Sequence, residues 1–258
     1  MPSSAAELVR QTIQNELKQS DSRTRFMYRI RRQTPAGSQT KEYVETSDGA
    51  GARLIAVNDQ PLTADQLQKE DERLQKLLTD PQAQQKHRKE QQDDAQRVQK
   101  MLNALPDAFL YQYDGKETFH GTEMVRLRFN PNPNFAPPNH ETQVYRGMVG
   151  TMLIDPQVRR LAKIDGHIIR EVSFGWGILG HLDPGGHFVV EQADVGEGVW
   201  ETISSTLSFT GRILLFKRLN IQEKEIASNL VRAPSGLNLA KAIELLRSQN
   251  PVVARQSR

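Results

Sequence analysis

The feature that most constrains this chain is a long series of segments that read as strands, from Pro106 to about residue 222, with clear alternation of apolar and polar residues at 109–113 and 125–129. Alternation with a period of two is typical of strands that bury one face. Many such strands in series, joined by short turns, predict a strongly curved antiparallel sheet or a barrel. The segments lie at 109–113, 125–129, 143–154, 158–178, 188–193, 200–210 and 212–221.

The first 60 residues predict a helix followed by three strands. Val9, Ile13 and Leu17 recur every four residues, and Ser3 or Ser4 is a suitable N-terminal cap for that helix. Alternation then predicts a three-stranded meander with turns between its strands. The three strands are expected at 23–31, 42–46 and 52–57.

Residues 63–105 change to a helical period. Thr63 is an expected N-cap, and Asp80-Pro81 is expected to break the segment in two, since proline is tolerated in the first turn of a helix. Residues 82–97 contain nothing more apolar than alanine, so we expect a solvated helical insertion. A partner-binding or mobile lid role is the alternative for this stretch.

The C-terminal part predicts one more helix, capped by Ser235, with Leu239, Ile243 and Leu246 on one face. Residues 248–258 are expected to form a flexible tail. No internal repeat and no linker rich in Gly, Ser or Pro divides the chain. We therefore expect a single domain over residues 1–247 with an α+β fold, in which a strongly curved antiparallel sheet forms an unclosed β-barrel and helices cover the concave face.

Composition excludes several classes of function. The chain has no cysteine, so it forms no disulfide and no thiolate metal site. A net charge of +3 from scattered cations does not favour nucleic acid as a partner. No apolar run approaches the roughly 20 residues of a membrane span. The start lacks the features of a signal peptide, so the chain is either cytoplasmic or begins after a removed export signal.

The glycine-rich stretch GWGILGHLDPGGH, residues 175–187, is the strongest candidate for chemistry. His181, Asp183 and His187 could in principle hold zinc, but their spacing matches no common ligand pattern and a third firm ligand is missing. No phosphate-binding loop and no Gly-x-Ser-x-Gly motif occurs anywhere. We expect no enzyme, no metal and no cofactor. Residues 183–186 predict a turn, and Gly175 and Gly177 predict a bend in the preceding strand.

Arginines face one side of several strands and could bind anionic head groups, although arginine on an outer strand face also keeps a sheet soluble. These arginines are Arg25, Arg29, Arg31, Arg126 and Arg128. The opposite sides of the strands are rich in aromatic and aliphatic residues, and such a face is either filled by the protein's own helices or holds an apolar ligand. The expected cavity-lining residues are Phe26, Tyr28, Ile30, Phe109, Tyr111, Val172, Phe174, Trp176, Ile178, Leu207 and Phe209.

One hairpin carries a family resemblance. The segment GTMLIDPQVRRLAKI, residues 150–164, has a strand ending in Asp155, a turn begun by Asp155-Pro156, and a return strand with an apolar-x-Lys-apolar sequence. With the order of elements around it, this resembles the LolA-like, LolB-like and MucB/RseB-like superfamily of periplasmic lipoprotein carriers and their relatives. The resemblance implies an unclosed β-barrel with helices over its mouth and an apolar cavity that accommodates acyl chains.

The expected function follows from that resemblance. It implies a non-enzymatic, monomeric periplasmic protein that binds a lipid, an acyl chain or a lipidated protein by reversible opening of its helical cover, for transport to the outer membrane. A membrane-associated partner fits such a role. The alternative is an envelope interaction or regulatory scaffold with a self-filled barrel and no lipid ligand.

Overall fold

The structure is a computed structural model that describes residues 4–20, 24–47, 49–174, 179–213 and 217–248. The described elements, in chain order, are α1 (Ala5–Ser20), β1 (Phe26–Thr34), β2 (Gly37–Thr46), β3 (Gly49–Val57), β4 (Gln60–Pro61), α2 (Ala64–Thr79), α3 (Pro81–Ala108), β5 (Phe109–Phe119), β6 (Thr122–Pro131), a 3-10 helix (Glu141–Gly147), β7 (Met148–Asp155), β8 (Arg160–Ile168), β9 (Val172–Phe174), β10 (Gly180–Leu182), β11 (His187–Asp194), β12 (Trp200–Ile213), β13 (Lys217–Arg232) and α4 (Leu239–Ser248).

The strands form one antiparallel sheet that does not close, which confirms the predicted α+β fold class. The hydrogen-bonded order is β4-β3-β2-β1-β13-β12-β11-β8-β7-β6-β5, and β10 pairs with both β12 and β9 beside this path. The chain divides into two compact units, a larger unit (1–22 and 96–224) and a smaller unit (23–95 and 225–258). The predicted single domain over 1–247 stays a prediction, and residues 249–258 of the predicted tail lie outside the described residues.

The core of the larger unit joins α1 to the sheet. The side-chain oxygen of Ser4 accepts a hydrogen bond from Glu7 N at 3.2 Å, which confirms the predicted N-cap region. The apolar stripe of the helix, with Leu8, Val9 and Ile13, is buried in the main apolar cluster of this unit. The helix packs against β5 and β8. Its four-residue apolar period therefore sets the face that it presents to the sheet.

The helix α3 continues to Ala108, past the predicted end at residue 105, with Pro106 inside its last turn. Proline there removes one backbone donor, so it weakens the helix end without breaking it. Two tyrosines satisfy carbonyls in this region: the buried Tyr145 donates to Met101 O at 3.1 Å, and the half-buried Tyr111 donates to Leu105 O at 2.6 Å. Burial raises the pKa of both phenols, which therefore remain donors.

Replacing Tyr111 with phenylalanine is expected to lower the free energy of unfolding by about 1 kcal/mol, because the carbonyl of Leu105 loses its side-chain donor at the helix end. Chemical denaturation followed by circular dichroism measures this change. The matched control is Tyr113→Phe on the same strand, where the side chain is exposed. Equal effects of the two substitutions would show that the bond to Leu105 contributes nothing.

In the smaller unit α2 and α4 pack against the meander formed by β1, β2 and β3. The predicted Thr63 cap is confirmed, since Thr63 and Gln66 form a reciprocal capping box. Asp80 caps α3 through Gln82 N at 2.8 Å, which confirms the break at Asp80-Pro81. The predicted Ser235 cap of the last helix is wrong. Asn238 performs that role, because its side-chain oxygen accepts from Lys241 N at 2.9 Å.

Several predicted strand boundaries are wrong. Residues 143–147 belong to a 3-10 helix. The side-chain oxygen of Asn139 accepts a hydrogen bond from the backbone N–H of Thr142 at 3.0 Å, and this bond starts a local turn. The strand predicted over 158–178 is interrupted at 169–171, where Ile169 N donates to Gly147 O. The boundary predicted between the strands 200–210 and 212–221 is also wrong, because β12 continues to Ile213. The predicted turn at 183–186 is confirmed between β10 and β11.

Candidate functional site

A row of directly opposed residues crosses six strands of the larger unit. Cross-strand pairs share one face of a sheet, so this row defines a face, which we call the apolar face. Rows on either side of it add further apolar residues to the same face. The central row is Tyr111, Phe129, Gly150, Gly166, Phe188 and Leu207, and the next is Tyr113, Leu127, Met152, Ile164, Val190 and Ser205.

Three phenylalanine rings lie over glycines on the apolar face. A Cβ atom built at Gly150 would lie 2.7 Å from Cζ of Phe129, and one built at Gly186 would lie 2.5 Å from Cδ1 of Phe209. At Gly166 an added Cβ would overlap the ring of Phe188. The missing side chains thus make room for rings against the backbone, as expected for Gly150 and Gly166, which lie within strands.

Burial changes along the apolar face. Leu127, Phe129 and Met152 are almost completely buried in the cluster that includes α1. Toward β9, β10, β11 and β12 the face is only half-buried, and its residues there pack against the edge of the cluster. These half-buried residues are Phe174, Leu182, Phe188, Val190 and Phe209. Leu207, opposite Phe188, is half-buried as well.

The structure brings together six of the predicted cavity residues. Phe109 and Val172 are buried in the main cluster of the larger unit, and Tyr111, Phe174 and Phe209 pack against it. The sixth, Leu207, lies in the central row of the apolar face. Trp176 and Ile178, together with Gly175 and Gly177, lie outside the described residues.

Phe26, Tyr28 and Ile30 belong to the smaller unit. Phe26 is buried, while Tyr28 stacks on Tyr43 with ring centroids 5.3 Å apart. The helix α4 packs on the other face of this meander, against Met27 and Val44. Consecutive residues of a strand point to opposite faces, so Phe26 and Tyr28 do not share the face that α4 covers.

A buried ion pair fixes the C-terminal end of α1 to the sheet. Glu16 accepts from Arg160 at 3.0 Å and from Leu161 N at 3.0 Å, and both charged side chains are buried. Burial raises the pKa of Glu16 and lowers the pKa of Arg160, because desolvation disfavours the charged form of each group, while their mutual attraction opposes both shifts. The side-chain amide of Gln19 adds bonds to the backbone of Trp200.

Four of the strand arginines form ion pairs with acidic residues of their own unit. Arg29 pairs with Glu42, and Arg31 pairs with Asp59 in the same manner. These pairs support the interpretation of a solvated outer face, because the charges are already balanced. The remaining contacts are Arg126 with Asp114 and Glu117, Arg128 with Asp114, and Arg25 with the carbonyls of Thr46 and Thr24.

The histidines do not gather around a common centre. His181 lies 3.4 Å from Asp183, and His187 lies 2.9 Å from Asp165. Within the described part of the chain, no group of three or more His, Asp or Glu residues could hold a metal ion. The stretch 179–187 therefore contributes β10 and a turn to the sheet.

Sequence reasoning missed the residues at the centre of the apolar face. Phe129 was visible as part of an alternating segment, and Phe188 as the start of a return strand, but neither indicated a common row. Gly150 lies in β7 and Gly166 in β8, and neither glycine was singled out by the sequence pattern. The available signal was a glycine within each of two adjacent strands, which indicates close approach of a side chain to the backbone.

No family model matches the sequence, and no curated protein matches it. Among solved structures, the chain is similar to a DUF1329 family protein from Desulfovibrio piger (10% identity, TM-score 0.36, 93% of this chain and 98% of that chain). It is also similar to an outer membrane lipoprotein-sorting protein domain from Vibrio parahaemolyticus (10%, 0.32, 93% and 99%) and to MucB in complex with MucA (12%, 0.23, 90% and 96%). At these identities and TM-scores, the likeness assigns no ligand, partner or activity to this chain.

Among the described helices, none combines the length and the apolar character needed to cross a bilayer.

Proposed function

We propose that this chain is a non-enzymatic cell-envelope protein that binds an acyl chain, a lipid or a lipidated protein on the apolar face. The observation that carries the proposal is the half-buried region of that face, where Phe188 and Phe209 pack against the buried cluster and Leu207 lies opposite Phe188. Contiguous apolar surfaces that remain open to solvent mark sites where apolar ligands or partners bind. The resemblance of the 150–164 hairpin to the periplasmic carriers supports a periplasmic location.

The proposed mechanism is binding and release without a covalent step. The ligand lies against the rings on β11 and β12, and α1 covers the buried part of the same face. Movement of a cover would change how much of the face is open, and a transport role requires affinity modest enough to release the ligand. We propose a monomer that exchanges its ligand with a membrane-associated partner.

Native mass spectrometry of gently purified protein tests the proposal directly. The expected result is a co-purifying mass that is lost on extraction with organic solvent. The extracted protein should then bind a fluorescent fatty-acid probe. Ligand-free protein that also rejects the probe would contradict the proposal.

Substitutions on the apolar face should weaken binding of the fatty-acid probe. Phe188→Ala and Leu207→Ala each remove half-buried apolar area, so each is expected to lower probe affinity about tenfold, since a buried side chain of this size contributes about 1.5–3 kcal/mol. The matched control is Val189→Ala, because Val189 is on the opposite face of the same strand. Equal losses for Val189→Ala and Phe188→Ala would exclude the apolar face as the binding surface.

A scaffold with a self-filled barrel is the second candidate, and one observation favours it. Leu8, Val9 and Ile13 of α1 already fill the space against the buried part of the sheet. A scaffold of this kind would carry no lipid and would give the same probe titration before and after organic extraction. The mass spectrometry and the probe titration therefore separate the two candidates.

A further inference from the structure

A charged cleft of about 370 Å³ lies in the larger unit beside the apolar cluster. It is formed by the 3-10 helix and by the segment that leads into β9. Its described lining residues are Gln143, Arg146, Gly147, Arg170, Glu171, Val172 and Ser173. Val172 is also a member of the main apolar cluster, so the cleft and the cluster share a wall.

The sequence builds this cleft from two elements that each have an apolar and a polar side. In the 3-10 helix, Val144 and Tyr145 are buried in the apolar cluster, while Gln143 and Arg146 line the cleft. In the segment before and within β9, Val172 is buried while its neighbours are exposed. Both elements therefore present polar groups to the cleft and apolar groups to the core.

Gly147 allows the two elements to approach closely. A Cβ atom at this position would lie 2.5 Å from Cγ2 of Val172 and 3.1 Å from the carbonyl oxygen of Arg170. The backbone of Gly147 also accepts from Ile169 N at 2.8 Å. The position of Arg170 relative to Arg146 is thus set by backbone contacts, and the cleft does not depend on flexible side chains alone.

The cleft has more positive charge than its carboxylate balances. Within the described part of the chain, neither Arg146 nor Arg170 forms an ion pair. The guanidinium group of Arg170 donates one hydrogen bond there, to the backbone oxygen of Arg146. Glu171 is the one carboxylate among the lining residues, and its Oε1 accepts from the Ser173 hydroxyl at 3.1 Å. Two guanidinium groups therefore offer several unused donors, and guanidinium donors match phosphate and carboxylate oxygens.

We propose that this cleft binds a phosphate or carboxylate oxyanion, and that the oxyanion is the head group of an acidic lipid whose acyl chain lies on the apolar face. This inference rests on the proposed function, because only an apolar ligand on that face brings a head group to the cleft. Val172 lines the cleft, and Phe174 on the same strand belongs to the half-buried part of the apolar face. Arg146 and Arg170 would bind the oxyanion, while Glu171 would oppose it.

Competition with a bound fluorescent fatty-alcohol probe tests the inference. The competitors are dodecyl phosphate, dodecanol and inorganic phosphate, each below its critical micelle concentration where it has one. The wild-type protein should prefer dodecyl phosphate over dodecanol about tenfold, as expected for charge-assisted hydrogen bonds that are partly screened by solvent. The Arg146→Ala/Arg170→Ala variant should lose this preference and retain dodecanol binding, whereas Glu171→Gln should strengthen it.

The matched control is Arg88→Ala/Lys89→Ala, which removes the same charge from an exposed part of α3. A preference that falls equally in this control would reflect net charge and would overturn the inference. Dodecanol binding without any anion preference would overturn the inference and leave the proposed function standing. Arginine-dependent binding of inorganic phosphate, with no binding of dodecanol, would support the oxyanion site, assign it to a free anion and contradict the proposed function.

Discussion

Replacing Arg160 with methionine is expected to lower the free energy of unfolding by about 3–5 kcal/mol, because the carboxylate of Glu16 would remain buried without its partner. Arg160 also donates to Asn15 O at 2.9 Å, and that bond would be lost too. Glu16 keeps a bond from Leu161 N, so its carboxylate would not be wholly unsatisfied. The measurement is urea denaturation of the wild-type and variant proteins.

The matched control is Arg10→Met on the same helix. Arg10 pairs with Asp107 at 3.0 Å, but both side chains are exposed, so the expected loss is below about 1 kcal/mol. A double variant, Glu16→Leu/Arg160→Met, should be more stable than the sum of the single losses predicts, since it leaves no buried charge. Similar losses for Arg10→Met and Arg160→Met would refute the assignment of a buried pair.

The same pair makes a pH-dependent contribution. Burial raises the pKa of Glu16 above its ordinary value of 4.5, despite the opposing bond from Leu161 and the charge of Arg160. A carboxyl group whose pKa is raised by folding contributes stability at pH values below its pKa in the unfolded state. That contribution is lost as the pH rises through its pKa in the folded state. Relative to Glu16→Gln, the wild-type protein should therefore become less stable as the pH is raised upward from 4.5. A difference that is constant with pH would contradict this sign.

Local sequence pattern was sufficient for most elements of this fold. The four-residue period of Val9 and Ile13, the cap at Thr63 and the break at Asp80-Pro81 each depend on contacts within a few residues, and all three are confirmed. Ser235 and Asn238 are equally plausible caps by residue type. Which of the two residues caps the last helix depends on where that helix begins. The sequence pattern does not define its first residue more closely than one helical turn.

The candidate site was less accessible to sequence reasoning. Alternation identified Phe109, Tyr111 and Phe209 as members of apolar strand faces, and the structure places them at one cluster. It could not identify which residues are opposed across strands, because register depends on turns and on the irregularity between Leu153 and Ile154. The arginine cleft was missed for a related reason, since Arg146 and Arg170 are distant in sequence and lie in segments predicted as strands.

The glycines under the phenylalanine rings give the second large expected effect. Gly150→Ala is expected to lower the free energy of unfolding by about 3 kcal/mol, near the upper end of the usual cost of overpacking. An added methyl group there would overlap the carbonyl oxygen of Asp165 and lie 2.7 Å from the ring of Phe129. The backbone atom cannot move without disturbing the pairing of β7 with β8.

Gly121→Ala is the control for glycine replacement in general. Gly121 has a φ of +80° in an open turn, and an added Cβ would meet no atom within 4 Å. Only the left-handed backbone opposes alanine there, at a cost of about 1 kcal/mol. Denaturation midpoints of the two variants compare packing with backbone strain, and an equal loss would refute the packing explanation for Gly150.

Gly166→Ala distinguishes an effect on the apolar face, measured as probe affinity, from an effect on the free energy of unfolding. The three atoms nearest to the added methyl group all belong to the Phe188 ring, which is a half-buried side chain and not backbone. The expected result is a smaller loss of stability than for Gly150→Ala, together with a loss of probe affinity, because a displaced ring changes the apolar face. Adding Phe188→Ala to Gly166→Ala should restore much of the lost stability, since the alanine side chain leaves space for the methyl group. If the second substitution instead adds its full cost to the first, the ring of Phe188 does not lie over Gly166 in solution.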